Sequence, residues 1–150
     1  MHKLHFSTFI QASPAHVWDV MLSDVTYRQW TNVFMPGSYY KGSWDKGSKI
    51  LFLAPAADGR KEGGMVSRIA ESRPHEFVSI EHLGMISDGV EDTESELVKK
   101  WAGAHENYTF ETEGTGTRLT IDVDTSEDEA EFMEKAWKNG LEVLKTLAEA

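Results

Sequence analysis

Hydrophobic positions recur along this chain with two different periods. Apolar residues at every second position read as a strand, and apolar residues returning every three or four positions read as a helix. In residues 3–11, KLHFSTFIQ, Leu4, Phe6 and Ile10 share one alternating phase, which predicts a first strand. Ser13 then suits a helix N-cap, and Pro14 the first helical position, where a missing N–H loses no bond. Val17, Trp18, Met21 and Leu22 follow at helical spacing. Ser23 or Asp24 caps a second short helix ending near Trp30.

Six more strands follow in series. Residues 38–44 and 49–54 flank the turn Asp45-Lys46-Gly47, a hairpin signal. Asp58-Gly59 marks the next turn. Residues 63–72 and 76–83 read as strands joined tightly through Pro74 and His75, and residues 105–112 and 118–125 alternate around Gly114-Thr115-Gly116. In the last strand Leu119, Ile121 and Val123 point one way and Arg118, Thr120, Asp122 and Asp124 the other, as in an antiparallel strand with one buried face. Residues 85–100 break the pattern. Asp88, Glu91, Asp92, Glu94 and Glu96 make this the most acidic stretch, and Thr93 with Glu96 matches a capping box for a helical turn from Glu94 towards Lys100. Its simplest reading is a solvated loop; a lid over a cavity is the functional alternative.

The chain ends in a long amphipathic helix. Ser126 and Glu129 form a second capping box, and Phe132, Met133, Ala136, Trp137, Leu141, Leu144, Leu147 and Ala148 form its apolar stripe. Gly140 lies in that stripe, where glycine is disfavoured by about 1 kcal/mol relative to alanine. It either admits close approach of the sheet or leaves space beside Trp137. The fold expected is α+β: a curved antiparallel sheet of about seven strands wrapped on a long C-terminal helix, with two short helices after the first strand. One domain over residues 1–150 is the expectation for this length. A bent sheet cannot close fully on one straight helix, so a cavity between them is the natural by-product.

Composition narrows the partners. The net charge of −10, with no basic cluster, argues against nucleic acid and against anionic membrane surfaces. The absence of cysteine excludes disulfides and thiolate chemistry. No apolar run is long enough to span a bilayer, and the N-terminus has no signal-peptide apolar region, so a cytoplasmic location is expected. Five tryptophans supply large, rigid walls for a core or pocket.

The stretch FIQASPAHVWDVMLSDVTYRQW resembles the N-terminal pattern of the helix-grip superfamily, also called SRPBCC or START-like. GSWDKGSKILF, GGMVSRIAESRPHEFVSIEH and GTGTRLTIDVD resemble its branch of homologues of the activator of heat-shock-protein-90 ATPase. Pro14, Trp18, Trp30, Gly47, Pro74 and Gly116 fall where that pattern places them, and the match covers nearly the whole chain. The resemblance implies a binding cavity. It leaves the content open, because the superfamily includes lipid carriers, hormone binders, cyclases and co-chaperone domains.

Candidate chemistry is sparse. Val78, Ile80 and His82 share a phase that puts His82 inside and Glu81 outside, although Phe77 and Leu83 share the other phase. Histidine is the side-chain type suited to general base work near neutral pH. Glu106, Tyr108 and Phe110 share a face of the next strand. Glu106 at the strand's start is expected in solvent; turned inward, it would be a buried carboxylate able to pair with His82. His2 and His5 fall at a chain end without further ligands, and no phosphate loop, zinc motif or nucleophile elbow appears, so neither metal nor cofactor is expected. The cavity lining expected is Trp30, Tyr40, Phe52, Ile80, His82, Tyr108, Trp137 and Leu141, with Trp44 as a further candidate. The function expected is binding of a hydrophobic or amphipathic small molecule. The alternatives are a cyclase- or hydrolase-type enzyme using His82 with Glu106 or Tyr108, and a co-chaperone-like domain that meets a protein partner.

Overall fold

The computed structural model describes residues 1–56 and 60–150. The turn expected at Asp58-Gly59 lies outside the described residues. Strand β1 (His2–Ile10) is followed by helices α1 (Pro14–Leu22) and α2 (Asp24–Trp30) and a single 3-10 turn over Thr31–Val33. Strands β2 (Tyr39–Gly42), β3 (Lys49–Ala54), β4 (Gly63–Arg73), β5 (Phe77–Ser87) and β6 (Val90–Asp92) come next. Then come α3 (Glu96–Lys99), β7 (His105–Glu113), β8 (Gly116–Thr125) and α4 (Glu127–Glu149).

All the pairings are antiparallel, in the order β1-β8-β7-β5-β4-β3-β2, with β6 hung on β5. The sheet thus holds eight strands among the described residues, against about seven expected. The additional one is β6, which lies in the stretch read as an acidic loop. There β5 runs on to Ser87 and folds back, so Met85 pairs with Asp92 and Ser87 with Val90. The short helix behind it is capped by Ser95, whose hydroxyl accepts from the Val98 N–H at 3.3 Å, and not by Thr93.

Local chemistry explains the entries into α1 and α4. Ser13 Oγ accepts from the His16 N–H at 3.2 Å with Pro14 in the first turn, as the sequence requires. At α4, Ser126 has N-cap backbone geometry but makes no side-chain cap bond. The capping box expected there does not form. Glu127, Asp128 and Glu129 instead place negative charge against the positive end of the helix dipole.

Two bulges bend the long β4–β5 pair. Val66 faces Gly84 while Ser67 faces His82, which leaves Leu83 without an opposite number; Ala70 is left over in the same way between Ile69 and Glu71. The concave face buries Ile50, Ile69, Val78, Ile80, Tyr108, Leu119 and Ile121 against α1, α2 and α4, in one cluster with Val17, Met21, Trp30, Trp137 and Leu144. A smaller cluster of Leu53, Val66 and Ile86 forms elsewhere, with Tyr39 and Leu51 against it. Gly140 does not admit the sheet. A Cβ there would lie 2.9 Å from Phe34 Cε1, so the glycine makes room for the ring that follows the 3-10 turn.

Candidate functional site

Sheet and helix do not meet at one end, and a cavity of about 490 Å³ remains between them. That volume falls within the usual range for small-molecule sites, about 300–1,000 Å³. Tyr27 and Trp30 of α2, Phe34, Phe52 of β3, Tyr108 of β7 and Trp137 of α4 give it aromatic walls. The rings are mutually packed. Trp137 lies 5.6 Å from Trp30, 5.0 Å from Phe34 and 5.8 Å from Tyr108, centroid to centroid. Trp30 is anchored further by its indole N–H, which donates to the Met21 carbonyl at 2.9 Å. Met35 and Phe132 line the cavity yet are 54% and 52% exposed, so they mark its mouth. Phe132 was expected within the buried stripe of α4; it sits in the first turns of that helix, where the sheet does not cover it.

One wall is polar. The imidazole of His82 pairs through Nδ1 with Ser67 Oγ at 2.7 Å and through Nε2 with Glu106 Oε1 at 3.2 Å. The second Glu106 oxygen accepts a hydrogen bond from the Tyr108 hydroxyl. Register explains the convergence: Ser67 lies opposite His82 across β4–β5, and Ile80 lies opposite Glu106 across β5–β7. Glu106 therefore shares the concave face with His82 and is not in solvent, contrary to expectation. Its side chain is only 16% exposed. Glu81 lies outside, paired with Arg68.

Burial, reinforced by the Glu106 charge, pushes both the Tyr27 and the Tyr108 phenols well above their ordinary range. For Tyr108 the hydrogen bond to Glu106 adds to this. Both phenols therefore stay protonated and act as donors or neutral walls. Ser67 is fully buried and is not part of the cavity wall, so its place is to orient the imidazole rather than to attack a ligand. Trp137 Nε1 is a buried donor without a partner among the described residues.

Of the nine residues expected to line the cavity, Trp30, Phe52, His82, Tyr108 and Trp137 are on its wall. Tyr40, Trp44, Ile80 and Leu141 are not. The Tyr40 hydroxyl is drawn to the Leu22 carbonyl at 2.6 Å, and its ring packs on Tyr27. Trp44 packs behind Tyr40 and Phe52. Ile80 is 1% exposed within the core, and Leu141, one turn beyond Trp137, belongs to the same core. Sequence reasoning passed over Tyr27, Phe34, Met65 and Met133. Met133 carried a signal, four residues before Trp137 on the same helix face. Tyr27 carried one too, three residues before Trp30. Residues 85–100 contribute nothing to the wall, so the lid alternative has no support.

The curved sheet, the long gripping helix and the cavity between them define a helix-grip protein. The family model described as Activator of Hsp90 ATPase homolog 1-like protein matches residues 11–149, and the chain belongs to that family. Among solved structures it is similar to the Aha1 dimer of Colwellia psychrerythraea, at 20% identity over 99% of this chain and 97% of that one, with a TM-score of 0.69. ChR145 of Cytophaga hutchinsonii matches at 18% identity over 99% and 94%, with a TM-score of 0.73. CalU16 of Micromonospora echinospora matches at 16% over 97% and 75%, with a TM-score of 0.64. At these identities the likeness establishes the fold. No curated protein matches the sequence significantly. No helix among the described residues is long and apolar enough to cross a membrane.

Proposed function

We propose that the chain is one helix-grip domain that binds a hydrophobic or amphipathic small molecule between sheet and helix. The observation that carries this is the cavity of about 490 Å³ with aromatic walls, a polar inner wall and an apolar mouth. Such a surface left to water is unfavourable by about 25 cal/mol per Å², and an apolar occupant removes that penalty. The test is titration with N-phenyl-1-naphthylamine, a dye that brightens in apolar surroundings. One-to-one enhancement is expected, weakened at least about tenfold by Trp137→Ala and measurably by Phe132→Ser at the exposed rim. No enhancement up to the dye's solubility, or enhancement indifferent to both variants, would overturn the reading.

The convergence of His82 and Glu106 on one cavity supports a second reading, proton transfer to or from a bound carbonyl compound. Its test is exchange of the α-protons of 2-tetralone in heavy water. Acceleration above buffer, lost in Glu106→Gln, supports it; exchange at the buffer rate removes it.

A further inference from the structure

The polar wall also says which end group the cavity receives. Of the ionisable side chains among the described lining residues, Glu106 is the acid, His82 the imidazole, and Tyr27 and Tyr108 the phenols; these residues include no lysine or arginine. One hydrogen-bond assignment satisfies this wall with the imidazole neutral. Ser67 O–H donates to Nδ1, Nε2–H donates to Glu106 Oε1, and the Tyr108 O–H donates to Glu106 Oε2. A carboxylate has about four acceptor positions, so two stay open. In that assignment the carboxylate has no cation among the described lining residues, and a partly buried negative charge left so is unfavourable. Tyr27, Trp30, Phe52, Tyr108 and Trp137 line the same cavity, and an aromatic ring attracts a cation placed over its face. Carboxylate and ring faces both favour a positive group, and both oppose an anion.

From this we infer that the occupant is an apolar amine, held as its ammonium with its N–H groups on Glu106 and its hydrocarbon body against the ring walls. Fatty acids and other organic anions are disfavoured by the same charge. The inference rests on the small-molecule reading above and adds the ligand's class.

The test uses three probes of one shape: 1-naphthylmethylamine, 1-ethylnaphthalene and 1-naphthaleneacetate, titrated calorimetrically into the intact protein. The expected order is amine tightest, hydrocarbon next and carboxylate weakest, with at least about tenfold between amine and carboxylate, since a charge-assisted hydrogen bond is worth that much. Glu106→Gln preserves volume and is expected to remove most of the amine's advantage. That this variant is folded is read separately, from its circular dichroism and urea midpoint. Carboxylate binding as tight as amine overturns the inference. So does hydrocarbon binding tighter than both, or an amine advantage that survives Glu106→Gln; these outcomes leave the cavity reading standing. Failure of all three probes overturns both.

Discussion

Glu106 shows how a single residue's place is set by pairing and not by its position along the strand. As the second residue of β7 it reads as solvent-exposed, yet its partner across the ladder is Ile80, 1% exposed. Two donors are already gathered on its carboxylate, and the same charge holds the Tyr27 and Tyr108 phenols protonated after burial has done most of that. A consequence follows for alkaline stability. In the unfolded chain a tyrosine ionises near pH 10, whereas in the folded protein these two remain neutral to higher pH. Their contribution is fully present below about pH 10 and is lost as pH rises towards the folded values, by about 1.4 kcal/mol per pH unit for each phenol. Urea midpoints at pH 9 and pH 11 are expected to differ more for the parent than for Tyr27→Phe. Equal differences would show that Tyr27 ionises in the fold. Tyr108→Phe is the less clean variant, because it also leaves a Glu106 oxygen without its donor.

At the scale of elements, periodicity located each long strand and both long-range layers, because alternation and helical spacing survive in sequence. It did not resolve phase in β5. His82 faces inward and Leu83 is the bulged residue, so the inward set continues at Met85, opposite Met65, and both faces look apolar to a period-two reading. Nor did it reveal β6, whose acidic side chains read as a loop while its backbone pairs with β5. Phe34 and Met35 follow a single 3-10 turn, too short for any period. Gly140 belongs to this scale as well. Gly140→Ala gains about 1 kcal/mol of helix propensity but drives a methyl against Phe34, which also packs on Trp137. The expected result is less than that gain in unfolding free energy, together with a changed tryptophan emission as Phe34 shifts. A full gain with unchanged emission would show that the ring yields freely.

At the scale of the molecule, the fold class was legible, and a strongly bent sheet on one straight helix leaves space at an end. Which end, and how far along α4, was not. The cavity takes Phe132, Met133 and Trp137 and stops before Leu141, which the core absorbs. That limit depends on how far the 3-10 segment rises over the helix at Gly140, a contact between segments more than a hundred residues apart in the chain. The family match gives the same architecture from an independent direction. The most direct test of a cavity that takes a small molecule reads the tryptophans themselves. Trp30 and Trp137 line the cavity, while Trp18 packs on Phe110 and His75 away from it, and Trp101 is not part of its wall. In a nitrogen-15 spectrum titrated with 1-naphthylmethylamine, the indole N–H resonances of Trp30 and Trp137 are expected to shift saturably, with those of Trp18 and Trp101 unmoved. Shifts confined to Trp18 or Trp101, or none at millimolar probe, would contradict a ligand-binding cavity at this site.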